Sequence, residues 1–124
     1  MSALDKSAVE AIALQLVDAL ERYAADTTQL VANWPDLERY RSVSEQIDQI
    51  RLFVSGLPEA RVQWVELLIA HAELVHLLWR AHYGHGGVTL DDTLHARLHH
   101  TDSVAALRSS CLRMVSKPQR PLSN

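Results

Sequence analysis

Apolar residues recur along most of the chain at spacings of three and four, the period of a helix with one buried side. From Ser7 to Asn33 the positions Val9, Ala13, Leu16, Leu20, Tyr23, Leu30 and Trp34 form one narrow stripe, with Thr27 filling its gap. Such a stripe is that of a bundle or coiled coil. Ser7 and Glu10 have the spacing at which each side chain caps the other's backbone amide, which predicts a helix start there. A second helix is predicted with Asn33 as its cap and Pro35 in its first turn, where a missing amide hydrogen does no harm. Tyr40, Val43, Ile47, Ile50 and Val54 are its inner stripe, and Gly56 is placed to end it.

The third helix is predicted from Pro58 to about Tyr83 and is apolar nearly all round. Val62, Val65, Leu68, Ile69, Ala72, Val75, His76 and Trp79 make one face, assigned to the core. Leu67, Leu74, Leu77 and Leu78 make another on the far side, with Trp64 and His71 projecting the same way as Leu78. Glu59, Glu66, Glu73 and Arg80 are the clear polar strip. A helix with two apolar faces asks for cover on both. The expectation is therefore self-association through helix 3 as a two-fold dimer, with Trp64, Leu67, Leu74 and Leu78 as partner-binding residues. The fourth helix is predicted from Leu90, with Thr89 and Asp92 in capping spacing and Leu90, Leu94, Leu98, Ala105 and Leu112 facing inward. Thr101, Asp102 and Ser103 are poor mid-helix residues that can also cap a fresh start, which leaves open whether the helix is kinked or broken there.

Four glycines and four prolines punctuate the chain at Pro35, at Gly56 and Pro58, at Gly84, Gly86 and Gly87, and at Pro118 and Pro121. The resulting fold class is all-α, an antiparallel four-helix bundle of one domain over residues 1–117, with 118–124 as a disordered tail. The 124 residues and 48% apolar content are enough for a core without staples. Twelve Lys and Arg stand against fifteen Asp and Glu with no basic run, which argues against nucleic-acid binding. From Val62 to Trp79, 13 of 18 residues are apolar, but each of Glu66 and Glu73 would cost about 2.5–3.5 kcal/mol in a bilayer, so no membrane span is expected. One cysteine and no secretory signal suggest the cytoplasm.

All seven histidines fall between residues 71 and 100. Glu73 and His76 offer two ligands from adjacent turns, as carboxylate-bridged metal bundles do, and His95, His99 and Asp102 follow at helical spacing on helix 4. In an antiparallel hairpin, residues of helices 3 and 4 whose numbers sum to about 173 lie level, which brings His76 near His95 and His99. A metal-binding helical protein, a sensor or small redox enzyme, is the alternative this cluster offers. Against it, His95, His99 and Asp102 project to the polar side of helix 4, and Glu10, Glu21, Glu38 and Glu45 do not supply the further inward carboxylates of a two-iron bundle. The favoured reading has no metal, no cofactor and no catalysis. Other signatures fail: the Gly84 to Gly87 cluster lacks a phosphate loop's Lys-Ser/Thr, Cys111 reads as a small buried hydrophobe, and no histidine carries the sequence of a phosphoacceptor. The sequence thus favours a non-catalytic interaction or regulatory module.

Overall fold

The computed structural model describes residues 3–84 and 87–115, with side chains from residue 6 onward. The predicted tail at 118–124 lies outside them, as does His85. Four helices, α1 (Ala3–Ala32), α2 (Leu37–Val54), α3 (Arg61–His82) and α4 (Leu90–Val115), account for nearly all of the described residues, and a short 3-10 turn at Pro58–Ala60 leads into α3. They form a helical bundle without strands among the described residues. Chain order runs round the bundle: α1 packs closely on α2 and α4, α4 on α3, while α2 and α3 touch only lightly. Glu21 meets Arg108 while Tyr23 meets His100, and Gln63 lies beside Asp102 while Arg80 lies beside Asp92, so α4 runs antiparallel to both α1 and α3.

Local chemistry sets the helix ends, twice against expectation. The first helix begins ahead of Ser7 and Glu10, which lie inside it, because Ala3, Leu4 and Lys6 are themselves good helix formers. Asn33 does not cap α2: its side chain turns back to the Gln29 carbonyl at 2.9 Å. Asp36, just past Pro35, is the cap and accepts the Arg39 amide at 3.1 Å. The Thr89–Asp92 box forms as predicted, with both reciprocal bonds at 3.0 Å. Gly84 follows the end of α3 at φ 69°, a conformation that side chains resist. No break occurs at Thr101: the helix runs through it, with Thr101 and Asp102 in solvent and only Ser103 buried.

The inner stripes of α1 and α2 are as predicted. Ala13, Leu16, Leu20, Tyr23, Thr27 and Leu30 are buried on α1, as are Val43, Ile47, Ile50 and Val54 on α2. The other two helices are turned. The face of α3 assigned to the core is outside, and Trp64, Leu67, Ala70, Leu74 and Leu78 are inside. On α4, Leu90, Leu94 and Leu98 are exposed, and Ala96, His100, Ser103, Val104, Leu107, Ser110 and Cys111 face the core. Small side chains here let α4 approach its neighbours closely, so its buried side carries less apolar bulk than its outer side. At the end of the bundle near the α1–α2 turn, Trp34, Tyr40 and Trp79 meet edge to face, Trp34 and Trp79 at 4.8 Å between ring centres, and Tyr83 stacks on Trp79.

Candidate functional site

Two features stand out from ordinary packing. The first is the outer face of α3. Val62, Val65, Leu68 and Ile69 are 69%, 45%, 42% and 51% exposed, and Ala72 continues the strip. They occupy one side of two to three successive turns, away from the core, with Arg61 beside them at the start of the helix and Glu66 along one edge. Single exposed apolar residues are ordinary, but four adjoining branched side chains make a patch. Trp64, Leu67, Leu74 and Leu78, expected to meet a partner, are at most 8% exposed and are covered by the chain itself. The correction follows from the rotation of α3: Trp64, Leu67 and Leu74 fill the bundle, and Val62, Val65 and Ile69 point away from it.

The second feature is a polar cluster in the core. The Tyr23 hydroxyl lies 2.7 Å from Nδ1 of His71 and 2.7 Å from Nε2 of His100, joining α1, α3 and α4 at one oxygen. A phenol has one proton to give, so it donates to one imidazole and accepts the N–H of the other. Burial keeps all three uncharged at neutral pH. It drives the phenol well above its ordinary range, opposed by the Thr27 hydroxyl beside it. It pushes His71 below the usual imidazole range, against the charge of Asp48. Burial, helped by the repulsion that protonated His71 and His99 would exert, pulls His100 down to about 4. His100 also lines a cleft of about 320 Å³ between α1 and α4. Sequence reasoning missed this cluster because His100 sits on a face read as polar. The signal was present: His71 and His100 fall close to the level register of the α3–α4 hairpin.

The residues considered as metal ligands are only partly brought together. His99 Nδ1 lies 3.0 Å from Glu73 and its Nε2 3.5 Å from Glu66. The bond to Glu73, against slight desolvation and with help from Glu66, holds its imidazolium above the ordinary range. This is an ion pair on the α3–α4 seam rather than a ligand set. His76 and His95 line a groove with Glu73, Arg80, Asp91 and Asp92. Asp102 lies further along, beside Glu66 and His99. Among the described residues no three His, Cys, Asp or Glu side chains are grouped to hold a metal ion. Cys111 is buried, which raises its thiol to about 11 and leaves it a poor nucleophile. No helix of the described residues is long and apolar enough to cross a membrane.

Compared with known proteins, the chain matches no family model, no curated protein and no solved structure.

Proposed function

We propose that the chain is a non-catalytic helical interaction module that pairs with a second copy of itself through the outer face of α3. The observation that supports this reading is the apolar strip Val62, Val65, Leu68 and Ile69, which no described residue covers. Each such side chain removed from water contributes on the order of 1.5–3 kcal/mol when fully buried. A two-fold contact puts the same strip on both sides and closes, so it satisfies every copy and leaves no patch over. The location in the cell that fits one buried free thiol is the cytoplasm.

Sedimentation equilibrium of the full chain tests the reading. Wild type is expected to be a dimer at micromolar concentration, and Val65→Glu/Ile69→Glu a monomer with unchanged helix content, since both sites are in solvent. Leu74→Glu/Leu78→Glu, by contrast, places charge in the core and is expected to unfold. A wild-type chain that sediments as a monomer at high micromolar concentration refutes dimerisation by this face.

A further inference from the structure

The cleft between α1 and α4 is walled by apolar side chains, Val31, Leu74 and Val104 among them, and its charged lining residues are both cations, Arg97 and Arg108. No carboxylate lines it, in a chain whose net charge is −3. Arg108 is held by Glu21 on α1 at 2.8 and 3.1 Å and bridges the two helices at one end. Arg97, three helical turns away on α4, has no such partner among the described residues. The floor is unusual too. His100, 6% exposed, spends Nε2 on Tyr23, and its Nδ1 makes no hydrogen bond to the described residues and is not sealed away unpaired. Beside it, the hydroxyl of Thr27, 5% exposed, has no full hydrogen bond of its own. Buried polar groups are nearly always satisfied, and the Thr27 hydroxyl, left short beside the cleft, is a group that a ligand would complete.

We infer that this cleft is a binding site for an apolar monocarboxylate, either a medium-chain fatty acid or an aromatic acid, with its carboxylate at Arg97 and His100 and its body against Val31, Leu74 and Val104. An anion selects one direction for the buried hydrogen-bond chain. The carboxylate accepts His100 Nδ1–H, His100 Nε2 accepts the Tyr23 hydroxyl proton, and the Tyr23 oxygen accepts Nδ1–H of His71. Every member of the chain is neutral and already positioned, so the anion meets an oriented donor without bringing a second charge into the core. Arg97 supplies the opposite charge at the mouth. The volume suits a body of about six to ten carbons.

Titration of the full chain with octanoate and with 3-phenylpropionate, followed by amide shifts in two-dimensional NMR, tests the site. Octanamide and 3-phenylpropanamide serve as neutral controls. One or both acids are expected to bind at least tenfold more tightly than the matching amide and to shift residues of the α1–α4 cleft. The acid that binds more tightly distinguishes an alkyl from an aromatic ligand. Arg97→Gln is expected to weaken binding about tenfold, and Ala105→Phe, which fills the cleft from an exposed position of α4, to abolish it. Long-range nitrogen–proton spectra should place the His100 proton on Nδ1 in the bound state. Equal affinity for acid and amide, shifts confined to other surfaces, or undiminished binding by Ala105→Phe overturns the assignment. Because Val65 and Ile69 lie outside the cleft, the Val65→Glu/Ile69→Glu variant should bind these acids as wild type does.

Discussion

Lowering the pH from 7 to 5 should destabilise the fold through His100. In the folded chain its pKa is depressed to about 4, against an ordinary 6.5 in the unfolded chain. The unfolded state therefore takes up the proton first as pH falls. Stability from keeping His100 neutral is fully present above about 6.5 and is lost as pH drops toward 4. Over the whole interval the loss is on the order of 3 kcal/mol, and between pH 7 and 5 about 2 kcal/mol. His71, also depressed, adds in the same direction. His99 acts oppositely: its raised pKa contributes stability below the unfolded value that fades as pH rises, so the comparison is cleanest in a His99→Gln background. Urea unfolding followed by circular dichroism at fixed protein concentration gives the stability at each pH, and His100→Gln removes the titrating group. The His99→Gln chain should lose about 2 kcal/mol between pH 7 and 5, and adding His100→Gln should remove most of that slope whatever its effect on absolute stability. A pH dependence that is flat, or that is the same with and without His100, refutes the reasoning.

Tyr23→Phe keeps the ring and deletes the oxygen, leaving two buried imidazole nitrogens without their partner, and should lower the stability measured by urea by about 1–3 kcal/mol. A change below about 0.5 kcal/mol would mean that these bonds contribute nothing net. Thr89→Ala removes one of the two reciprocal bonds at the start of α4 and should cost about 1 kcal/mol in the same assay, with a fully retained helix signal.

How much of this was legible in the sequence depended on whether a helix offers one apolar stripe or two. On α1 and α2 the apolar positions define a single side, and Leu16, Leu20, Val43 and Ile50 are buried where the period puts them. Helix ends with side-chain caps were readable where the chemistry is reciprocal, as at Thr89 and Asp92, and misread where a proline moved the start on to Asp36. The rotation of α3 and α4 was not legible. Period alone cannot choose between Val62–Val65–Ile69 and Trp64–Leu67–Leu74, since both satisfy it. On α4 the buried side holds Ser103, Ser110, His100 and Ala96, which look like a solvated face until close helix packing and a buried phenol give them a reason to be inside. The hairpin register was readable, and it already held the His99–Glu73 pair. The buried cluster needed in addition the knowledge that Tyr23 turns inward between the two histidines.

The two-faced character of α3 carries a consequence for the folding landscape. A helix that is apolar on opposite sides can dock in either of two rotations with comparable hydrophobic gain, so grease alone leaves two competing packings close in energy. Directional bonds break the tie. Only the native rotation lets His71 reach the Tyr23 oxygen and sets Glu73 against His99, and in the alternative His71 would face solvent, leaving the buried phenol one partner short. The Tyr23 cluster thus acts as a key that admits one orientation of α3, a service measured in uniqueness of the native state more than in its depth.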